Sequence, residues 1–139
     1  MKKFITIILM LGFIACEEEH NTPTKPIDDD FDPEVAIKLK MGDFSGVSGH
    51  SVSGTASVFD SNGTQILVLD PFNSQNGPDL KVYLSKDAGA GTYVDLGSLK
   101  STTGKQSYEI PAGFDIHTYP YVLIWCQKFS VGFGKAETD

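Results

Sequence analysis

The chain has 139 residues, 40% of them hydrophobic and 21% charged, with a formal net charge of −7. All 11 basic residues are lysines. An acidic chain with no arginine, the planar fork that best grips phosphates, is not a nucleic-acid binder.

The N-terminus sets the compartment. Lys2 and Lys3 precede an apolar run from Phe4 to Ala15. A membrane-crossing helix needs about 20 such residues, so this run is too short to span and matches a signal-peptide core instead. It ends in Phe13-Ile14-Ala15-Cys16 and turns abruptly polar, which resembles the bacterial lipobox, with Phe13 standing where leucine is usual. The resemblance implies that residues 1–15 are a lipoprotein signal peptide and that Cys16 is acylated. Several acyl chains on one residue hold firmly where a single chain does not. The expectation is a lipoprotein of the outer membrane or cell surface, anchored to the membrane through its lipid.

After residue 15 the chain carries nine lysines and 18 acids, net −9, and the acidity is concentrated early. Between Glu17 and Glu34 stand eight acids against Lys25 alone, with Pro23, Pro26 and Asp28-Asp29-Asp30. Such composition cannot offset chain entropy, so residues 16–34 are expected to form a disordered tether. Its root-mean-square reach as a coil would be about 25 Å. The aspartates lack the alternating ligands and turn glycine of a calcium loop. An acidic run following the lipidated cysteine also resembles the export signal of surface lipoproteins in Bacteroidetes.

Residues 35–139 form one domain, enough for a single core. Short β-branched and aromatic runs alternate with Gly, Asn, Asp and Pro, and no helical period appears. Ser51–Phe59 alternates, Asn62-Gly63 signals a tight hairpin, and Gln65–Leu69 returns as its partner. Further strands are expected at Leu80–Ser85, Tyr93–Leu99 and Gln106–Ile110, the last stopped by Pro111. Tyr121–Cys126 is apolar on both faces, which marks a central strand covered twice. Ser130–Gly134 follows. About eight strands at this spacing predict an all-β fold, an antiparallel sandwich or a flattened barrel.

With Cys16 acylated, Cys126 is the only thiol left and no intramolecular disulfide can form, which is unusual in an oxidising compartment. Two readings of Cys126 stand open. It is a small buried hydrophobe among its apolar neighbours. Alternatively it is a redox group: a thiolate that is oxidised or pairs with another protein's cysteine, an axial haem ligand, or a Cu(I) ligand with His50, His117 or Met41. Lys128, two residues on, would favour the thiolate if the chain stayed extended. His20 belongs to the tether, and no histidine pair has the spacing of a preformed metal site. Gly77-Pro78-Asp79 reads as a turn, with Asp79 bonding local amides, and Trp125 and the tyrosines read as core. With neither a Gly-x-Ser-x-Gly elbow nor an acid, base and nucleophile set, the chain is expected to be an accessory protein and not a self-contained enzyme.

Several motifs in one order resemble the DM-thirteen domain, an electron-transfer type module of animal cell-surface proteins. They are Gly42-Asp43-Phe44, His50-Ser51-Val52-Ser53-Gly54, Phe72, Gly77-Pro78-Asp79-Leu80-Lys81-Val82-Tyr83-Leu84-Ser85 and Leu96-Gly97-Ser98-Leu99-Lys100. Then follow Gly104-Lys105-Gln106-Ser107-Tyr108-Glu109-Ile110-Pro111, Val122-Leu123-Ile124-Trp125-Cys126 and Phe129-Ser130-Val131-Gly132-Phe133-Gly134-Lys135-Ala136. The resemblance implies a β-sandwich-like fold and a redox role centred on Cys126, as bare thiol or as ligand of a prosthetic group such as haem, with His50 in the same pattern. It also implies a redox partner protein in the envelope. The other reading is a non-catalytic surface module whose loops, Asn73-Ser74-Gln75 among them, bind glycans or proteins.

Overall fold

The computed structural model describes residues 21–139. The expected signal peptide, residues 1–15, the expected lipidation site Cys16 and His20 lie outside the described residues. Nine strands form one sheet: β1 (Ile27–Asp28), β2 (Ile37–Gly46), β3 (Val52–Ser61), β4 (Thr64–Ser74), β5 (Leu80–Ser85), β6 (Tyr93–Ser98), β7 (Gly104–Glu109), β8 (Tyr121–Cys126) and β9 (Val131–Glu137). Their order is β1-β7-β4-β3-β2-β9-β8-β5-β6, antiparallel throughout except where β1 runs parallel to β7. The sheet turns its corner at β2, whose residues 37–43 pair with β3 while Phe44–Gly46 pair with β9. The two halves therefore face each other like a flattened half-barrel. Between them lies a core of Phe44, Val58, Leu67, Leu69, Val82, Leu84, Val122, Ile124 and Phe133.

The hairpin signal is realised as the sequence demands. Ser61 pairs with Thr64, and the two turn residues take positive φ, 53° at Asn62 and 89° at Gly63. That is the turn whose twist matches the flanking strands. The Asp60 carboxylate accepts from the Gly63 N–H at 2.8 Å.

Strand β8 lies inside the sheet, between β5 and β9. Its inner face, Val122, Ile124 and Cys126, is fully buried. Among the described residues, its outer face meets no second layer of secondary structure. Leu123 and Tyr83, each 1% exposed, are covered there by side chains. Tyr83 stacks on Tyr93 with ring centroids 4.2 Å apart and lies 6.2 Å from Trp125. Stacked rings bury the apolar outer surface that the sequence assigns to a covering layer.

The described part of the expected tether, residues 21–34, is laid on the domain, which thus begins before Val35. Ile27 and Asp28 pair with Gly104 and Lys105, giving the outer edge of β7 a partner. The Thr102 N–H donates to the Pro23 carbonyl at 2.9 Å, and the Ser101 hydroxyl to that of Lys25 at 2.7 Å. Asp29 accepts from the Ser107 hydroxyl at 2.8 Å, with Lys100 Nζ at 3.6 Å, and Lys105 Nζ donates to the Phe31 carbonyl. Phe31 packs on Phe59 with centroids 5.2 Å apart. Composition reads these acids as repelling one another; in the fold, Ser107 of β7 and Lys100 receive one of them, Asp29.

Candidate functional site

Four connections meet at one end of the barrel: β2–β3, β4–β5, β6–β7 and β8–β9. Cys126 is the last residue of β8, in register with Leu80 of β5 and Val131 of β9. It faces inward and is 0% exposed. Its S–H donates to the Pro78 carbonyl at 3.0 Å, so the sulfur has a polar partner at the rim and does not simply fill a central void.

The loop above it is held from several sides. Asn76 Oδ1 accepts from the Gly77 N–H at 2.8 Å and from the Thr22 N–H at 3.2 Å, while its amide donates to the Thr22 carbonyl at 2.9 Å. The Gln127 N–H donates to the Asp79 carbonyl at 3.0 Å. Gly77 is required here because an ideal Cβ would stand 2.5 Å from the Phe133 ring. Asp79, at φ 56°, pairs with Lys81 at 3.3 Å. The local amide cap expected of Asp79 is supplied by Asn76 instead.

The other face of this assembly is His50, stacked on Phe133 with centroids 3.7 Å apart and 9° between planes. Among the described residues its buried Nδ1 has no hydrogen-bond partner. Beside it an open hollow of about 550 Å³ is lined by His50, Ser51, Ser53, Asn73, Ser74 and Gln75. Cys126 and His50 therefore share one end of the fold, linked through Gly77-Pro78 and the Phe133 ring. The thiol bonds to Pro78 and not to His50.

The remaining candidates are dispersed. His117 is exposed in the 3₁₀ turn Ile116–Thr118, at the opposite end of β8. Six residues of strand separate that end from Cys126, roughly 17 Å. Met41 is 40% exposed on β2. The chain turns after Cys126, so Lys128 does not run beside the thiol; its Nζ sits 5.5 Å from the Phe129 ring. Among the described residues no three His, Cys, Asp or Glu side chains gather as a metal site. Haem ligation by Cys126 does not fit this conformation either. The sulfur is fully enclosed, its S–H is engaged with Pro78, and core side chains occupy the space a macrocycle would need.

Sequence reasoning did not single out Asn76, Thr22 or the Phe133–His50 stack. Asn76-Gly77 was legible as a turn dipeptide. Its grip on residue 22 depends on a contact across 54 positions, which no local pattern encodes.

An all-β domain with one enclosed thiol at the mouth of a half-barrel is the class that fold and site define. The family model described as "Electron transfer DM13" matches residues 43–138, and the chain belongs to this family. The match spans β2 through β9 and takes in both His50 and Cys126. Neither a curated protein nor a solved structure matches the chain.

Proposed function

We propose that this chain is a lipid-anchored accessory protein of the cell envelope that transfers electrons by thiol–disulfide exchange at Cys126. The thiolate attacks one sulfur of a partner protein's disulfide, the partner's S–S bond breaks, and its second sulfur leaves as a thiolate. A dithiol of a second, electron-donating protein then attacks Cys126 Sγ, the first partner's remaining sulfur leaves as a thiolate, and the donor's other thiol releases Cys126 as the donor becomes the disulfide; two electrons have passed from donor to partner. The family's electron-transfer description supports the redox class. The single observation that carries the thiol form is the place of Cys126 Sγ, at a strand end under one loop and hydrogen-bonded to that loop's Pro78 carbonyl. Exchange requires the Asn76–Asp79 loop to lift, because the closed form shields the sulfur.

The test is incubation of the Cys16→Ser chain, in which Cys126 is the sole thiol, across a series of glutathione redox buffers. A mixed disulfide at Cys126, read by mass without denaturant, is expected to form with one definite midpoint. No adduct under fully oxidising conditions overturns the exchange mechanism. A second reading, a non-catalytic binding module, is favoured by the open polar hollow beside His50 and Asn73–Gln75. It predicts an unchanged phenotype for Cys126→Ser and a lost one for Asn73→Ala with Gln75→Ala.

A further inference from the structure

We propose that the end of the barrel bearing Cys126 faces a lipid surface, with the Lys128-Phe129 tip as its contact; this rests on the reading that Cys16 is acylated. The path of the chain points there first. Asn21, the first described residue, bridges to Pro78, the residue that receives the Cys126 thiol. From Cys16 to Asn21 there are five Cα steps, which reach at most about 18 Å when fully extended. Because residues 21–34 are docked along β7, they add no slack to this leash. The membrane end of the chain and the thiol end of the barrel are thus held together.

The tip has the chemistry of an interfacial contact. Phe129 is 65% exposed at the turn between β8 and β9, and Lys128 beside it places an ammonium 5.5 Å from the ring. An aromatic ring seated at headgroup depth, with an ammonium reaching lipid phosphate, is how amphipathic side chains settle at bilayers. The connections at this end, residues 47–51, 75–79, 99–103 and 127–130, carry one acid, Asp79, which is paired with Lys81, so no unpaired loop carboxylate opposes the contact.

The experiment uses the full acylated chain in vesicles of phosphatidylcholine with phosphatidylglycerol. Nitroxide labels are placed at Phe129→Cys or, at the opposite end, at exposed Ala112→Cys, each in a Cys126→Ala background. The ratio of collisions with membrane-dissolved oxygen to collisions with a water-soluble nickel chelate is expected to be several-fold higher at position 129. In the unlabelled chain, vesicles should slow trypsin cleavage after Lys128 relative to Lys86, and detergent should abolish the difference. Equal ratios and equal cleavage on an acylated chain overturn the orientation and leave the anchor standing. Absence of acyl mass on Cys16 overturns both.

Discussion

Asp29→Asn should release the segment that straps the domain's edge. Asp29 Oδ2 accepts from the Ser107 hydroxyl at 2.8 Å and the Ser107 N–H at 3.2 Å, while Oδ1 accepts from the Phe31 N–H at 3.1 Å. Asparagine offers one acceptor oxygen, so it serves one of the two backbone N–H groups and turns its own donor toward the other. A buried orphan donor costs about 1–3 kcal/mol, and this half-buried position, reachable by water, falls near the low end. The partly exposed Lys100 pair contributes at most about 0.5 kcal/mol more. A total of about 1.4 kcal/mol is tenfold in the docking equilibrium. Hydrogen exchange reads it directly: Ile27, Asp29 and Thr102, whose N–H groups bond across the strap, should lose about tenfold in protection. The β3–β4 ladder should not change. The same carboxylate gives the docking an acid limit. Burial pushes its pKa up, but the Ser107 hydroxyl, the Phe31 and Ser107 N–H groups and Lys100 outweigh this and hold it below the usual 3.8. A lowered pKa contributes docking stability that is complete above pH 3.8 and is lost as pH falls through the lowered value. In Asp29→Asn that acid dependence should vanish. An unchanged strap, or an equal loss of protection in β3–β4, refutes the account.

Two further outcomes follow from buried groups. Burial, with the nearby charges of Tyr93 and Asp95, raises the Tyr83 pKa, and burial together with Asp29 raises that of Tyr108. Both stay neutral in the native state past pH 10, so native stability is full below pH 10 and falls as pH climbs above it. In an alkaline titration, the phenolate absorbance of these two among five tyrosines should appear only with unfolding; a rise beforehand disproves their enclosure. Lys40, buried on β2, donates from Nζ to the Ile116 carbonyl at 2.6 Å and that of Tyr119 at 3.0 Å. Lys40→Ala strips both carbonyls of their donor and should lower urea-derived stability by about 2 kcal/mol, whereas a loss under 0.5 kcal/mol would mean the loop finds other partners.

Much of this fold was legible because its signals are local. The limits of β5 and β8 coincide with the apolar runs Leu80–Ser85 and Tyr121–Cys126, and Asn62-Gly63 turns where two positive φ values are needed. Strand β2 was not legible. Its Ile37-Lys38-Leu39-Lys40-Met41 alternation implies lysines outward, but the register shifts between Lys38 and Lys40. That shift buries Lys40 and leaves Leu39 and Met41 exposed, a rearrangement stabilised only by the distant carbonyls at 116 and 119. The strap was missed for a related reason. Composition measures what a segment cannot bury by itself, and says nothing of an unpaired edge elsewhere that will take its amides. At the site, the end-of-strand position of Cys126 was readable, while its bond to Pro78 and the stacking of His50 on Phe133 are tertiary facts.

In the lipid-anchored form proposed above, the strap also decides how far the domain can stray from its anchor. Docked, it leaves five Cα steps between Cys16 and the Asn21–Pro78 bridge, and the thiol end is confined within about 18 Å of the lipid. Undocked, the 18 residues from Glu17 to Glu34 become a coil with a root-mean-square span of about 25 Å, extended further by their own charge. The domain could then turn freely. Thr22 is clasped by Asn76, which caps the loop whose Pro78 carbonyl engages Cys126. Release of the strap therefore loosens the cover of the thiol in the same step that frees the domain to rotate. In that proposed form every partner reaches the thiol only after the Asn76 contacts have parted, and one that arrives while the strap is docked has to approach along the membrane.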